Sequence, residues 1–145
     1  QPVHIVVPNE REQRTMKTIE VRSSARCEMI DITRDVARCV RESGVTDGMV
    51  YVFVPHTTAG ITINENADPD VVRDLLFALE RAVPNTGFYH IEGNSDAHAK
   101  ATMTGFSVSV IVEGGSLALG TWQGIYFCEF DGPRRRRVLV KVLAG

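Results

Sequence analysis

Three histidines in this 145-residue chain fall beside loops: His56 directly after Pro55, His90 after Phe88-Tyr89, and His98 in the first turn of a short helical stretch. Imidazole is the commonest metal ligand and the side chain that titrates nearest neutral pH. The trio therefore points either to a divalent metal, zinc before magnesium, or to proton transfer; the bland reading is three separate surface or hydrogen-bonded groups. Their spacings of 34 and 8 residues match no local ligand motif, so only the fold can bring them together. Carboxylates accompany each of them: Glu65 and Asp68 after the first, Glu92 and Asp96 around the second and third, Glu129 and Asp131 further on. Such groups orient imidazoles or act as general acid and base, and Glu65 or Glu129 would be the base toward a metal-bound water. Asp68 and Asp96 read equally well as helix caps. Glu65, between Asn64 and Asn66, is either a site residue or part of a polar turn.

Two loops could hold an anion. Asn94 and Ser95 follow Gly93 at a helix start, with Lys100 one turn on, and a helix N-terminus offers unpaired N–H groups to a phosphate. Thr57 and Thr58 form a hydroxyl-bearing loop before Ala59-Gly60. Either could be a plain polar turn. Arg134 to Arg137 form the one strong charge run, placed in a turn between strands; it could engage phosphates or be paired with acidic neighbours or another subunit. Trp122, between Gly120 and Gly124, reads as core or subunit interface.

The elements that must position these groups follow from pattern. Thr15 to Ser23 alternates as a strand, and residues 1–14 read as a strand or a loose arm. Asp31 is the expected N-cap of a helix that carries Ile32, Val36, Cys39 and Val40 and stops at Gly44. Val50 to Val54 is a β-branched run closed by Pro55, and Ala59 to Asn64 alternates as a second short strand. Asp68-Pro69 opens a helix to about Val83 with a stripe of Val72, Leu75, Leu76 and Leu79, and a third helix covers 94–104. From Phe106 onward strand signals alternate with turns at Glu113-Gly114-Gly115 and Asp131-Gly132-Pro133, which predicts an antiparallel meander. The class is α+β with two or three helices.

Length bounds this to one domain, residues 1–145, at about 100–200 residues per domain. A net charge of −2 with 43% apolar and 23% charged residues excludes disordered and collagen-like classes and weighs against nucleic acid as a partner. Apolar stretches such as Met49 to Pro55 fall far short of the roughly 18 residues of a membrane span, and no charged and apolar leader opens the chain, so a cytoplasmic protein is expected. Cys27, Cys39 and Cys128 are odd in number and lack CxxC spacing, against a disulfide framework or a cysteine zinc site.

The longer strings are more specific than their separate letters. His56 to Asn66, with Ala67-Asp68-Pro69-Asp70-Val71 after it, resembles the first signature of the YjbQ-like family, the secondary thiamine-phosphate synthases. Ser107 to Val112, then Gly115, Leu117, Leu119 and Gly120 to Ile125, resembles the second, with His98 to Ala101 between them. The resemblance runs from about Thr15 to the C-terminus. It implies a mixed, largely antiparallel sheet curled into a partial barrel, a homotrimer, and a pocket near subunit contacts where His56 and His98 lie, with Glu65 and Glu129 as partners and metal binding. It also implies the joining of a pyrimidine diphosphate to a thiazole phosphate with release of pyrophosphate. The chain departs from the bacterial pattern in a shorter stretch from Glu92 to His98 and in Glu129-Phe130-Asp131, where many members carry Glu-His-Arg. Three functions follow as expectations. The first is a transferase binding a small phosphorylated molecule through Thr57, Thr58, Asn64, Asn94, Ser95 and Lys100. The second is a hydrolase or lyase with metal on His56, His90 and His98. The third is a non-catalytic trimeric binding protein.

Overall fold

A computed structural model describes residues 16–145. The expectation for residues 1–14 lies outside them. Eight strands and three helices are described: β1 (Met16–Arg22), β2 (Glu28–Asp31), α1 (Thr33–Ser43), β3 (Gly48–Phe53), β4 (Ala59–Glu65), α2 (Pro69–Ala82), α3 (Ser95–Thr104), β5 (Ser107–Glu113), β6 (Ser116–Leu117), β7 (Gln123–Glu129) and β8 (Arg135–Ala144). They form a five-stranded sheet in the order β1-β8-β3-β5-β6 and a three-stranded sheet in the order β2-β7-β4, curled into a half-barrel. Every described ladder is antiparallel. The α+β, largely antiparallel architecture expected from the sequence is what forms. Among the described residues no helix is long and apolar enough to cross a membrane.

The core explains the strand order. β8 alternates, so Val138, Val140 and Val142 point inward against Val50 and Val52 of β3 and Ile19 and Val21 of β1. β7 is different: all of Gly124 to Glu129 is buried, because the strand lies between β2 and β4 and is covered on both faces. That corrects the expected meander. Among the described strands only β5 and β6 pair as a consecutive hairpin, through Gly114 and Gly115 at positive φ, whereas β7 and β8 leave for different sheets. A run apolar on both faces belongs in a sheet centre, not beside its sequence neighbour at an edge.

Three local readings also change. Asp31 closes β2 instead of capping α1; Ile32 holds the N-cap position, and the Asp31 carboxylate accepts from the Thr33 N–H at 2.9 Å and its hydroxyl at 2.5 Å. Arg135 to Arg137 lie in β8 and not in a turn, so they alternate between faces. Of the two readings of Trp122 the core one falls, since the side chain is exposed, and its carbonyl accepts from the Asn66 N–H. Other signals act as expected: the Asp68 carboxylate accepts from the Asp70 N–H at 2.9 Å with Pro69 in the first turn of α2, and Gly44 ends α1 in the left-handed region at φ 73°. The three cysteines are free thiols; burial pushes Cys128 up to about 12.

Candidate functional site

At one end of the half-barrel five segments meet around a polar cavity of about 500 Å³. The turn from β3 into β4 supplies His56, Thr57 and Thr58, because Pro55 stops β3 and the chain must leave the sheet there. The connection between α2 and α3 supplies His90, Glu92 and Asn94, and α3 supplies His98. Asp131 and Arg134 come from the turn between β7 and β8, and Arg136 from β8 itself. The fold thus brings together all three histidines that the sequence leaves 34 and 8 residues apart. The rings of His90 and His98 meet edge to face with centroids 5.5 Å apart.

Behind this surface lies an ion pair. Arg136 is 7% exposed and Glu129 is fully buried. Arg136 Nε donates to Glu129 Oε1 at 2.9 Å, and its Nη2 donates to Glu129 Oε2 at 2.5 Å and to the Thr58 hydroxyl at 2.8 Å. Ser23 Oγ and the Asp131 N–H complete the carboxylate's shell at 2.6 and 3.1 Å. Burial alone raises the Glu129 carboxyl, but the hydrogen bonds from Arg136, Ser23 and Asp131 outweigh it and hold the group below its ordinary range. So arranged, Glu129 is an anchor for Arg136 and stands behind the cavity wall instead of lining it.

The rim is a second hydrogen-bonded set. Asp131 Oδ2 accepts from Asn94 Nδ2 at 2.9 Å and from Arg134 Nη2 at 3.0 Å. Asn94 Oδ1 is buried without a donor among the described residues, a position that a ligand or water can complete. His56 Nε2 accepts the backbone N–H of Arg137 at 3.1 Å, which places the imidazole proton on Nδ1. Burial, and then the charge of Arg136, push the His56 imidazole below its ordinary value, so it is neutral at pH 7.

This arrangement bears on a metal. Zinc sites use three or four protein ligands. His56 has one nitrogen accepting from Arg137 and the other protonated, so it offers no lone pair, and His90 and His98 alone are too few. Among the described residues no group of three or more His, Cys, Asp or Glu side chains is placed to hold a metal ion. Magnesium prefers oxygen ligands. Of the two carboxylates at this cavity, Asp131 is already engaged by Asn94 and Arg134.

The other expected site residues lie elsewhere. Glu65 ends the strand that starts at Ala59, six residues and about 20 Å from the cavity end at roughly 3.3 Å per residue. Its carbonyl accepts from Tyr126 Oη. Asn64 lines a separate groove with Met29, Leu75 and Met103, and its Oδ1 accepts from the Glu65 N–H. Lys100 is 1% exposed, with Nζ on Glu80 at 2.5 Å and Asp96 at 3.3 Å, so it is an internal cation and not an anion ligand. Asp96 is held below its ordinary range chiefly by Arg26, and these pairs fasten the start of α3. Ser95 is half-buried and does not line the cavity. Sequence reasoning missed the inward role of Arg136; the signal was there, since 136 shares the parity of Val138, Val140 and Val142.

Comparison with known proteins agrees with the fold. The family model for UPF0047 protein YjbQ-like matches residues 17–145. UPF0047 protein YugU of Bacillus subtilis is 52% identical over 130 residues, covering 88% of this chain and 98% of that protein. A UPF0047 protein of Methanocaldococcus jannaschii is 50% identical over 125 residues, covering 86% and 91%. A crystal structure of an uncharacterized YjbQ/UPF0047 protein from Clostridium acetobutylicum, 57% identical, superposes with a TM-score of 0.86 over 88% of this chain and 99% of that one. A YbjQ-like protein of unknown function from Sulfolobus solfataricus, 34% identical, gives 0.86 over 90% and 96%. The chain belongs to the YjbQ/UPF0047 family.

Proposed function

We propose that the cavity binds a small phosphorylated molecule and moves protons on it, in a transferase reaction of the thiamine-phosphate synthase kind that the sequence resemblance implies. The observation that carries this reading is the convergence of His56, His90 and His98 with Arg134 on one polar cavity. Arg134 and the Thr57 hydroxyl receive a phosphoryl group at the rim, and the paired rings of His90 and His98 act as acid and base. In the reaction a carbon–nitrogen bond forms as the bond from carbon to the departing pyrophosphate oxygen breaks. The cavity has no surplus of fixed cations: Glu92 and Asp131 balance Arg134 and Arg136, and Glu129 already answers Arg136. Charge on the departing pyrophosphate is therefore met by hydrogen bonds from the cavity's imidazoles and hydroxyls, in an environment where such stabilisation carries much of the rate.

The test is pyrophosphate release by the purified chain from the pyrimidine diphosphate and the thiazole phosphate. Turnover is expected, and Arg134→Gln should raise KM about tenfold with kcat nearly unchanged, as loss of one charge-assisted contact predicts. Absence of pyrophosphate with the wild type sinks the transferase reading; an unchanged KM in the variant removes Arg134 from the site.

The same reading takes the chain to act as a homotrimer. Met16, Tyr51, Phe53, Ile111 and Leu143 are exposed on one face of the five-stranded sheet, an apolar patch of the kind that marks an interaction surface. The solution mass should be three times that of the chain and should fall toward the monomer in Tyr51→Lys/Ile111→Lys; a monomeric wild type rejects the assembly.

A further inference from the structure

We infer that the outward side of the His56 loop carries a second anion site, built on Arg137 and suited to a phosphoryl group. A concavity of about 450 Å³ lies there, bounded by Thr18, Glu20, His56, Arg135, Arg136 and Arg137. It is separate from the histidine cavity in that His90, His98 and Arg134 do not border it, and it goes beyond the function proposed above.

The charge arrangement is set by strand geometry. Successive β8 side chains alternate, so Arg136 turns into the core while Arg135 and Arg137 stand together on the outward face, past Leu139 and beyond the end of the apolar patch proposed for assembly. On the neighbouring strand β1, Glu20 lies directly opposite Arg137, and Arg22 opposite Arg135. Glu20 nevertheless gives its carboxylate to the diagonal neighbour: its Oε1 is 2.9 Å from Arg135 Nε and 4.0 Å from Arg22 Nε. Among the described residues Arg134, Arg135 and Arg136 each have a carboxylate partner, Asp131, Glu20 and Glu129, and Arg137 has none. Of the groups that border the concavity, Arg135 and Arg137 share the one carboxylate of Glu20 while Arg136 is answered by Glu129, which leaves an excess of one positive charge beside a concave surface.

A guanidinium fork matches phosphate oxygens in pairs, and the excess positive charge favours an anion. Thr18 adds a hydroxyl at the same edge. His56 borders it as well, with its Nε2 held by the Arg137 backbone N–H. That bond also fixes the backbone of Arg137, so the arginine stem starts from a rigid strand. His56 and the buried Arg136 border both concavities and form the wall between them.

The experiment is a titration of the full chain with inorganic phosphate at constant ionic strength, following the arginine Nε–H signals by NMR. Saturable shifts at Arg135 and Arg137 are expected. Arg137→Gln should weaken that binding about tenfold, the loss of one charge-assisted contact, and Glu20→Gln should tighten it several-fold by freeing Arg135. Arg134→Gln, which alters the histidine cavity, should leave it unchanged. A phosphate monoester that binds more tightly than inorganic phosphate assigns the site to a phosphorylated small molecule; equal affinities assign it to free phosphate. Equal shifts from chloride, or unaltered binding in Arg137→Gln, overturn the proposal. Loss of phosphate binding only in Arg134→Gln places the anion in the histidine cavity and also overturns it. Because turnover depends on Arg134 and this titration on Arg137, failure of either reading is visible without the other.

Discussion

Glu129→Ala is expected to cost about 3–5 kcal/mol of folding stability, because it leaves a buried guanidinium without its counter-charge. Arg136 has a side chain only 6% exposed, and beyond Glu129 its one remaining partner among the described residues is the Thr58 hydroxyl. Small domains are stable by about 5–15 kcal/mol in all, so the loss is a large share and should appear as a much lower urea midpoint. The double replacement Glu129→Leu with Arg136→Met removes both charges and should recover most of it, as apolar exchanges of buried pairs do. A second readout follows from titration. The ionised carboxylate stabilises the native state above its ordinary value of 4.5, and that contribution is lost as pH falls toward its lower native value. The variant should lack this part of the acid transition. A cost near or below about 1 kcal/mol would mean that Arg136 simply swings out into the histidine cavity and pairs with water.

That pair also shows where sequence reasoning stops. Elements whose cause is local were legible: the β-branched run ended by Pro55, the Asp68-Pro69 helix start, the stop at Gly44, and the helix from which His98 projects. Strand order was not, because a run such as Gly124 to Glu129 states only that both its faces are covered, not which strands cover them. The charged residues failed for a related reason. Glu129 and Lys100 carry letters that suit catalysis, yet each is buried with a partner 7 or 20 residues away, and burial of a charge is settled by tertiary pairing. Glu65 was linked to His56 by closeness in sequence, but an extended strand converts that closeness into distance. The histidines were found by type alone. Their convergence needed the two connections and the helix start to close on the same end of the half-barrel.

His98→Ala should lower kcat about 10²–10⁴-fold on the substrates that release pyrophosphate, the usual share of a positioned acid or base. His98 projects from α3, whose start is fastened by Asp96 to Arg26 and Lys100, so the imidazole is held by a fixed helix while its neighbour His90 comes from an exposed connection. The two rings meet edge to face at 5.5 Å between centroids, close enough to act together on one substrate group. If they work as a pair, His90→Ala should cost about as much as His98→Ala, and the double variant little more than either, because groups acting together are not additive. The urea midpoint should stay within about 0.5 kcal/mol of the wild type, since His98 is half-buried and makes no side-chain hydrogen bond to another described residue. A loss of activity that tracks a loss of stability would point to packing. Full activity in His98→Ala, or additive losses in the double variant, would remove the paired imidazoles from the chemistry and leave the cavity as a binding site.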